Sequence, residues 1–378
     1  MIKPKIRFKG YQEEWEQRKV SEITSSYSGG TPKAGTTEYY DGDIPFIRSG
    51  EIYGNTTELF ITEEGLNSSS AKMVHIGDIL YALYGATSGE VSRAKLDGAI
   101  NQAILAIIPN DEMNADFLVE WFRKEKTQIT DKYLQGGQGN LSAQIIKDLI
   151  VTIPTCEEQN KIGEYFSKIN HLITLHHRKC EEMKILKKYM LQKMFPQNGN
   201  SVPEIRFLGF TEDWEQRKLS EVVDSVDTGK SRFNKEGSSG EYPILGSTSV
   251  IGYDDEYDYE GDFILTARVG ANAGSLYRHA GKVKISDNTV FIQASQNIEF
   301  LYQLLIQFDI KKLSFGTGQP LVKASELKSL ELMMPTDMKE QMRIGVYFKN
   351  LDHLITLHQK KCDELRNIKK FMLQNIFI

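Results

Sequence analysis

The sequence is short of several features that would assign it to a large protein class. Its 378 residues include only three cysteines, Cys156, Cys180 and Cys362, which are too few and too widely spaced for a disulfide framework. The longest apolar run, near residues 103–108, is far too short to cross a bilayer. The N-terminal stretch carries charge but no apolar segment, so no secretory signal is predicted. We expect a cytoplasmic protein without a membrane partner.

Motifs for catalysis and nucleotide binding are also missing. The GKS at residues 229–231 lacks the glycine that a phosphate-binding loop needs five residues earlier, where Asp224 stands. The glycine-rich GGQGN at 136–140 does not have dinucleotide-binding spacing. There is no HExxH motif and no hydrolase-like nucleophile spacing. No two prolines are adjacent, which excludes the Asn-Pro-Pro-aromatic signature of amino-methyltransferases. The sequence predicts a chain without a catalytic site.

A strong positive charge is absent as well. The net charge is −5, and this balance does not by itself indicate a nucleic-acid binder. The charge is unevenly distributed, however, with net values of −5, +3, −7 and +4 for four successive segments: 1–156, 157–195, 196–338 and 339–378. Two acidic globular blocks therefore alternate with two short basic ones.

What the sequence does contain is a long internal repeat. Ile6–Glu22 aligns with Ile205–Glu221 at 12 identical positions of 17, and both stretches include the pentapeptide WEQRK. His171–Phe195 aligns with His353–Phe377 at 15 of 25 positions. The middles diverge, and the second copy is 17 residues shorter there. A period this long indicates a duplicated domain rather than a solenoid. We expect a structural frame that is common to both copies and that carries a different recognition region in each. The alternative is a simple gene duplication followed by neutral drift of the middle segments.

The repeated pentapeptide is predicted to be structural. Trp15 and Trp214 are expected to bury their rings, because tryptophan is usually well buried. Arg18 and Arg217 are expected to form salt bridges or caps. The motif then appears twice because the same scaffold appears twice.

Two long helices are predicted, at residues 157–195 and 339–378. Mostly apolar residues recur in alternating steps of four and three from Ile162 to Met194 and again from Ile344 to Ile376, for about five heptads each. This pattern favours helices that pack on each other; the alternative is that each helix packs only on its own domain. Further apolar residues widen the stripe and are assigned to the docking of partner subunits: Tyr165, Leu172, Leu175, Leu186, Tyr189 and Leu354.

Two histidine–cysteine pairs lie within these helices. His176 and Cys180 are one turn apart, as are His358 and Cys362, and two histidines with two cysteines form a zinc-ligand set. Pairs at this spacing arise readily by chance in a heptad, and a buried cysteine behaves as a small hydrophobic residue. We therefore predict mid-helix packing residues and no metal site.

The ordered motifs resemble one known family, the specificity subunit of bacterial type I restriction–modification systems. The matching features are the GDxxL and GAxxG stretches, the helix starts CEEQNKIGEYF and MKEQMRIGVYF, TGQP at 317–320, and SGGTP at 28–32 followed by YYDGDIPFIRSGEI at 39–52. Together they cover essentially the whole chain. One departure is that the first copy has GGQGN where the second has GTGQP.

The resemblance implies a fold and a domain order. We expect a tandem α+β architecture, in which α/β-type target-recognition domains alternate with two long helices that form an antiparallel coiled coil. The implied boundaries are a first recognition domain at 1–156, a spacer helix at 157–195, a second recognition domain at 196–338 and a second spacer helix at 339–378.

The resemblance also implies a function. Each recognition domain is expected to read one half of a bipartite, asymmetric site in double-stranded DNA, and the helices to hold two modification subunits. Those subunits are expected to carry S-adenosylmethionine and methylate adenine, and restriction subunits to add cleavage that uses ATP and Mg²⁺. The chain itself is expected to be non-catalytic and to hold no cofactor or metal. A helical two-domain adaptor for protein partners, with no DNA role, is the alternative.

Candidate DNA-contacting residues are those whose side chains suit base or phosphate contacts and which lie in the variable loops. Arginine, lysine, asparagine and glutamine make bidentate contacts to bases, and serine and threonine add single hydrogen bonds. The acidic balance of both domains predicts that partner subunits supply much of the DNA clamp. The candidates are Lys33, Arg48, Ser49, Thr87, Ser88 and Gln138 in the first domain, and Lys230, Arg232, Ser247, Arg268, Asn272 and Gln319 in the second.

Overall fold

The computed structural model describes residues 3–134, 140–197, 199–232, 239–314 and 320–378. The chain divides into two compact units: Met1–His176 with Lys361–Ile378, and His177–Lys360. Each unit thus contains one of the two predicted recognition domains and about half of each long helix, whereas the sequence predicts four consecutive segments. The difference arises because helix ends pack into the domain cores. Phe377 lies in the core of the first unit, and Phe195 lies in that of the second.

The first unit is built on strands whose alternate residues face two cores. Its strands are β1 Glu16–Lys19, β2 Thr24–Ser28, β3 Tyr40–Ile47, β4 Phe60–Ile61, β5 Lys72–Val74, β6 Ile79–Ala82, β7 Val91–Arg93, β8 Gly98–Ile100, β9 Ile104–Pro109 and β10 Ile150–Ile153. They pair in the orders β2-β9-β6-β7, β4-β3-β8-β5 and β1-β10. The helices are α1 Val20–Ile23, α2 Glu63–Asn67, α3 Ala115–Tyr133, α4 Ala143–Lys147 and the long α5 Cys156–Lys193. In β6, Ile79 and Tyr81 join the core under α3, while Leu80 and Ala82 join a second core. Burial on both faces explains why the strand is continuously apolar.

The strands of the second unit are β11 Glu215–Lys218, β12 Ser225–Thr228, β13 Tyr242–Leu245, β14 Val250–Asp254, β15 Tyr259–Ala267, β16 Leu276–Ile285, β17 Thr289–Gln293 and β18 Glu331–Met334. They form one six-stranded sheet in the order β12-β17-β15-β16-β13-β14 and a separate β11-β18 pair. The helices are α6 Ile298–Phe308, α7 Ala324–Lys328 and the long α8 Met338–Ile376. Along β15, Ile264 packs under α6 while Phe263 and Leu265 face a second core, as in β6.

The two units share a chain path but differ in the middle. β16 pairs antiparallel with β15 along its first part and then parallel with β13 at Leu245–Ile285. In the first unit the same path is broken into β7, which pairs with β6, and β8, which pairs in parallel with β3. The first unit also inserts α2 and β5 between β3 and β6. The shorter middle of the second copy therefore corresponds to a simpler, continuous sheet.

The structure confirms the prediction for the repeated pentapeptide. The last four residues of the motif, EQRK, form β1, which pairs with β10, and β11, which pairs with β18. Trp15 and Trp214 are buried. Arg18 forms salt bridges with Glu16 and Glu22, and Arg217 lies 3.5 Å from its i+4 neighbour Glu221.

The preceding Ile-Arg-Phe motif joins each domain to the start of its long helix. The Arg7 guanidinium donates through Nε and Nη2 to the buried Glu158 carboxylate at 2.8 and 2.7 Å. Arg206 donates in the same way to Glu340 at 2.7 and 2.8 Å. Two-pronged arginine–carboxylate pairs of this kind fix orientation as well as distance.

Both long helices are present at the predicted positions, and each spans about 57 Å at 1.5 Å per residue. Every residue of the predicted seam is buried or half-buried in both helices. Within the first unit the Cys362 thiol lies 3.5 Å from the Ile173 carbonyl oxygen. Within the second unit the Cys180 thiol lies 3.8 Å from that of Ile355, and Lys187 Nζ lies 2.7 Å from Asp352 Oδ1. The helix segments therefore run antiparallel inside each unit, while supercoiling stays a prediction.

Candidate nucleic-acid interface

The candidate residues of the second unit converge on one turn. This hub turn, residues 286–288, joins β16 to β17. The Asn288 carbonyl oxygen accepts hydrogen bonds from the Arg268 backbone N–H at 2.9 Å and from the Ser247 hydroxyl at 3.2 Å. Ser231, which lies between Lys230 and Arg232, exchanges backbone hydrogen bonds with both sides of the turn. Three loops that are distant in sequence thus meet at the hub turn.

A fourth loop reaches the same place. The Gly270 N–H donates to the Pro320 carbonyl at 3.1 Å, and the Val322 N–H donates to the Arg268 carbonyl at 2.8 Å. These bonds hold the segment from residue 320 beside the end of β15. Gln319, a candidate in the same loop, lies outside the described residues, as does Gln138 in the first unit.

The first unit repeats this arrangement around its own hub turn, residues 101–103 between β8 and β9. The Leu83 N–H donates to the Ala103 carbonyl at 2.8 Å, in the position that Arg268 and Asn288 occupy in the second unit. The Thr31 hydroxyl donates to the Gln102 side-chain oxygen at 2.8 Å. β3 ends alongside β8, so Arg48 and Ser49 follow directly next to the turn. The frame therefore presents equivalent loops in both units.

Glycine is required where the first of these loops passes its hub turn. A Cβ on Gly29 would lie 1.7 Å from the Ile100 carbonyl oxygen, and one on Gly229 would lie 2.3 Å from that of Ile285. No side chain fits at those distances, so the backbone itself packs against the strand end. The glycines of SGGTP and TGKSR are thus explained by close approach and not by phosphate binding.

The cations of the two sites differ in their surroundings. Lys230, Arg232 and Arg268 are exposed, and within the described parts of the chain their side chains form no ion pair. Lys33 is exposed in the same way. Their charges are directed to solvent and are available to a phosphate or a base edge.

Arg48, in contrast, is held by two carboxylates. Its guanidinium lies 2.8 Å from an oxygen of Glu51 and 2.8 Å from one of Glu58. The hydrogen bonds from Arg48 hold the pKa of the Glu51 carboxyl well below its usual range, at about 2. Glu51 therefore stays ionised at neutral pH, and DNA has to compete with it for Arg48.

The predicted hydroxyl and amide residues fall into different environments. Thr87 and Asn272 occupy equivalent positions at the tip of the GATSG and GANAG loops, where Asn272 is exposed and Thr87 half-buried. Ser49 and Ser247 are both half-buried beside their hub turns, and the Ser247 hydroxyl is already used to hold Asn288. Positioning of the hub turn is therefore one role of Ser247 in the free chain.

Ser88 requires a correction. It is only 7% exposed, and its hydroxyl donates to the carbonyl oxygens of Gly85 at 2.8 Å and Leu83 at 3.2 Å. The equivalent residue of the second unit is the buried Ala273. A buried hydroxyl that is satisfied by the backbone stabilises the loop and does not face a DNA ligand, so Ser88 is removed from the candidates.

Sequence reasoning missed the hub turns themselves. Asn288 and Gln102 are exposed, and both have amide side chains at the centre of a candidate cluster. Asparagine and glutamine suit adenine through two hydrogen bonds. The available signal was a short polar stretch, SDN or NQ, directly between two apolar strands, which is a turn pattern.

The long helices carry a second repeated surface. Exposed or half-buried apolar residues stand one position before seam residues on both helices and occupy equivalent places in the repeat. We call the set in each unit its docking stripe. It consists of Leu172, Leu175, Ile368 and Phe371 in the first unit, and of Leu354, Leu357, Leu186 and Tyr189 in the second.

The members of each stripe lie on one side of the helix pair. A residue that precedes the seam is rotated by about 100° from it, always in the same sense when seen from the helix N-terminus. Because the two segments run antiparallel, the same rotation places both sets on the same side. Leu172 is 40% exposed and Phe371 is 56% exposed, so this side is open in the chain.

Tyr165 also stands one position before a seam residue and is half-buried, and its assignment to partner docking stays a prediction. Its ring packs edge-on against Phe8 and Phe166, with ring centres 5.8 and 5.4 Å apart. Burial raises the pKa of the Tyr165 hydroxyl. The residue therefore joins the N-terminal segment to the helix.

Neither a metal centre nor a membrane span is found where the structure is described. In the described ranges no group of three or more histidine, cysteine and acidic side chains is placed to hold a metal. The thiols of Cys180 and Cys362 instead lie near carbonyl oxygens of the facing helix. None of the helices searched in those ranges is long and apolar enough to cross a membrane.

Comparisons with known proteins point in one direction. A family model described as the type I restriction modification DNA specificity domain matches residues 12–184 and 211–367. The MjaVIII specificity subunit of Methanocaldococcus jannaschii is 23% identical, over 95% of this chain and 91% of that protein. The EcoR124I/EcoR124II specificity subunit of Escherichia coli is 24% identical over 44% of this chain and 43% of that protein.

One solved structure extends the likeness to the whole fold. The S subunit of a type I restriction–modification system from M. genitalium superposes with a TM-score of 0.74 at 16% identity, covering 100% of this chain and 99% of that one. At this level of identity the match describes the fold alone.

Proposed function

This chain belongs to the type I restriction–modification DNA specificity family, and from that premise we propose that each unit reads one half of a bipartite DNA site through the loops around its hub turn. The chain is the DNA-recognition subunit of such a system, and it is not itself an enzyme. The observation that carries the proposal is the repeated hub turn. In both units it gathers loops that differ in sequence onto the same backbone frame.

The chemistry of the two clusters supports different readouts. In the second unit, Arg268 has an exposed guanidinium that forms no ion pair within the described residues and suits the two acceptors of guanine, and Asn272 and Asn288 have amides suited to adenine. Lys230 and Arg232 stand at the loop edge, where phosphate contacts set orientation. The first unit offers chiefly neutral groups, the Gln102 amide and the Thr87 hydroxyl, together with the exposed cation Lys33.

The docking stripes support the assembly part of the proposal. Specificity subunits of this family work with methyltransferase and restriction subunits and bind DNA. Each unit carries one stripe of the same apolar character, so we infer that two modification subunits bind, one per stripe. Apolar residues of this size, exposed in a row and bordered by charge, are typical of a protein interface.

The proposed assembly also indicates which subunits hold the cofactors and where in the cell the complex acts. We infer that S-adenosylmethionine, ATP and Mg²⁺ are held by the partner subunits, since the chain supplies recognition and not chemistry. The acidic recognition domains also favour a complex in which the partners provide much of the positive surface that grips DNA. Such a complex works on chromosomal DNA and is expected in the bacterial or archaeal cytoplasm.

A variant that removes the exposed cations of one cluster tests the proposal. Lys230→Ala, Arg232→Ala and Arg268→Ala are combined in the full chain, which is assembled with its modification subunits. We expect weaker DNA binding and a salt dependence whose slope falls by about one unit for each phosphate that the variant no longer neutralises. The measurement is the dissociation constant across a salt series, together with the sequence of the methylated sites.

A matched control separates this effect from a general change of charge. Lys218→Ala, Arg217→Ala and Lys328→Ala remove three cations of the same unit that lie outside the cluster. The control should retain affinity and motif. Equal binding by both triple variants, with an unchanged methylated motif, would place the reading surface elsewhere.

A further inference from the structure

The junction between each recognition domain and the long helices contains one carboxylate, which is buried in the first unit and half-buried in the second. In the first unit this is Glu120 on α3, which is only 2% exposed. Its oxygens lie 2.8 Å from the Asn170 amide nitrogen on α5 and 2.9 Å from Lys369 Nζ on α8. Arg123, nearer the surface, also pairs with it. The Lys369 charge is thus compensated from within the domain.

The second unit builds the same junction with the groups exchanged. Gln303 on α6 is fully buried, and its amide nitrogen donates to Asp352 Oδ2 on α8 at 3.0 Å. Asp352 Oδ1 lies 2.7 Å from Lys187 Nζ on α5. The carboxylate here belongs to the long helix and the amide to the domain.

The repeat makes this an interchange at equivalent positions. Glu120 and Gln303 follow the matching stretches FLV and FLY, and Asn170 and Asp352 both precede HLITL. Lys187 and Lys369 also occupy equivalent positions. Each junction therefore keeps one acid, one amide and one lysine, but the acid and the amide have changed places.

Mismatched combinations are electrostatically unfavourable. A domain with glutamate on a helix with aspartate places a buried and a half-buried carboxylate together, and like charges at such a site repel. A domain with glutamine on a helix with asparagine leaves the lysine without a counter-charge. Burial already lowers the pKa of Lys369, which indicates that its charge depends on the carboxylate beside it. Removing one partner of a buried pair is strongly destabilising.

We propose that Glu120 with Asn170, and Gln303 with Asp352, form a matching code that determines which recognition domain can be seated on which long helix. In each junction the acid and the amide lie on the domain and on the long helix that follows it in the chain, whereas the lysine lies on the other long helix. Because both junctions have this lysine, the code concerns only a domain and the helix that follows it. Exchange of recognition domains between the two positions is tolerated only when both members of the code move together. The inference depends on packing inside each unit and is independent of which bases are read.

A double-mutant cycle in the second unit tests the code, because its carboxylate has a single lysine partner. Gln303→Glu and Asp352→Asn are made separately and together in the full chain. Each single change should lower the midpoint of thermal unfolding by about 5–10 °C, and the double variant should recover more than half of that loss. Asn350→Asp adds a carboxylate at an exposed position of the same helix and should have little effect. Additive losses in the double variant would overturn the code.

In a second test, the same substitution is expected to stabilise a chimera and to destabilise the parent chain. Residues 20–149 are replaced by residues 219–330, since Val20–Leu149 and Leu219–Leu330 make the same backbone hydrogen bond. Gln303 then faces Asn170 and Lys369. Asn170→Asp should raise the unfolding midpoint of this chimera while lowering that of the parent chain, and Asn367→Asp, at an exposed site, should do neither. If Asn170→Asp shifts both proteins in the same direction, the proposal is wrong; if the chimera does not fold at all, the equivalent cycle of Glu120→Gln and Asn170→Asp in the parent chain decides.

Discussion

The cations beside the two hub turns differ in what surrounds them. In the second unit Arg268 is exposed and, within the described residues, has no ion-pair partner, whereas in the first unit Arg48 is held between Glu51 and Glu58. The two arginines also stand on different loops, one after β15 and the other after β3. Equivalent frames thus present different chemistry, and the number of basic residues in a domain does not tell how many are available to DNA.

The docking stripe is common to both units, and disrupting it should have the largest effect on assembly with the modification subunits. Leu172→Asp with Leu354→Asp places a charge in both docking stripes, and a charge at the centre of an apolar interface weakens binding by about 2 kcal/mol or more at each site. Each modification subunit should bind at least about 30-fold more weakly. The measurement is co-elution of the subunits in size-exclusion chromatography, with circular dichroism to verify the fold.

Thr174→Asp with Thr356→Asp is the matched control for this prediction. These residues are exposed and stand on the opposite side of the same seam residues. They should leave the complex intact. If only one unit loses its partner in the leucine variant, the two stripes are not equivalent and the shared part of the comparison fails.

The comparison of the two arginines is sharpened by removing each in turn. Arg268→Ala should weaken specific DNA binding by about 1–3 kcal/mol and relax the motif at one position of one half-site. Arg48→Ala should weaken DNA binding by less, because Arg48 has to give up its ion pairs with Glu51 and Glu58 before it can contact DNA. Binding to a panel of single-base site variants measures both. A larger loss for Arg48→Ala would show that the carboxylates release it in the complex.

The smallest effect concerns the stability that Arg48 and Glu51 give to the free chain. The folded-state pKa of Glu51 is lowered to about 2 from an ordinary value of 4.5. Its stabilisation is therefore fully present above about pH 4.5 and is lost as the pH falls towards 2. Glu51→Gln should lower the free energy of unfolding by about 1 kcal/mol or less at pH 7, and the difference from the parent should vanish in acid. A difference that does not change with pH would mean that this ion pair is not its cause.

Much of the frame could be predicted from the sequence because repeated and periodic patterns fix local structure. The heptad steps located both long helices to within a few residues, and the repeated WEQRK indicated a buried tryptophan and an arginine that forms a salt bridge or a cap in each unit. The boundaries of the compact units could not be predicted. They depend on which core receives residues such as Phe377, and that is decided by packing between elements distant in sequence.

The candidate site was predictable as a set of loops and not as a set of side chains. Pairing of β13 with β16, and the hydrogen bonds at Asn288, bring the loops together, but no local signal reveals them. Ser88 and Thr87 are adjacent and chemically alike, yet one is buried and the other stands at a loop tip. Only the path of the backbone distinguishes them.

The central claim is that each unit reads its half-site independently. Exchanging the recognition region of one unit tests this claim most directly. Residues 23–135 are replaced by the corresponding body of a related specificity subunit that also has glutamate at the position of Glu120, and the chain is expressed with its modification subunits. Sequencing of the methylated bases in those cells reports both halves of the target. We predict that one half of the methylated motif changes to that of the donor while the other half is retained. A change in both halves, with full methylation, would contradict the claim that each unit reads its half-site independently.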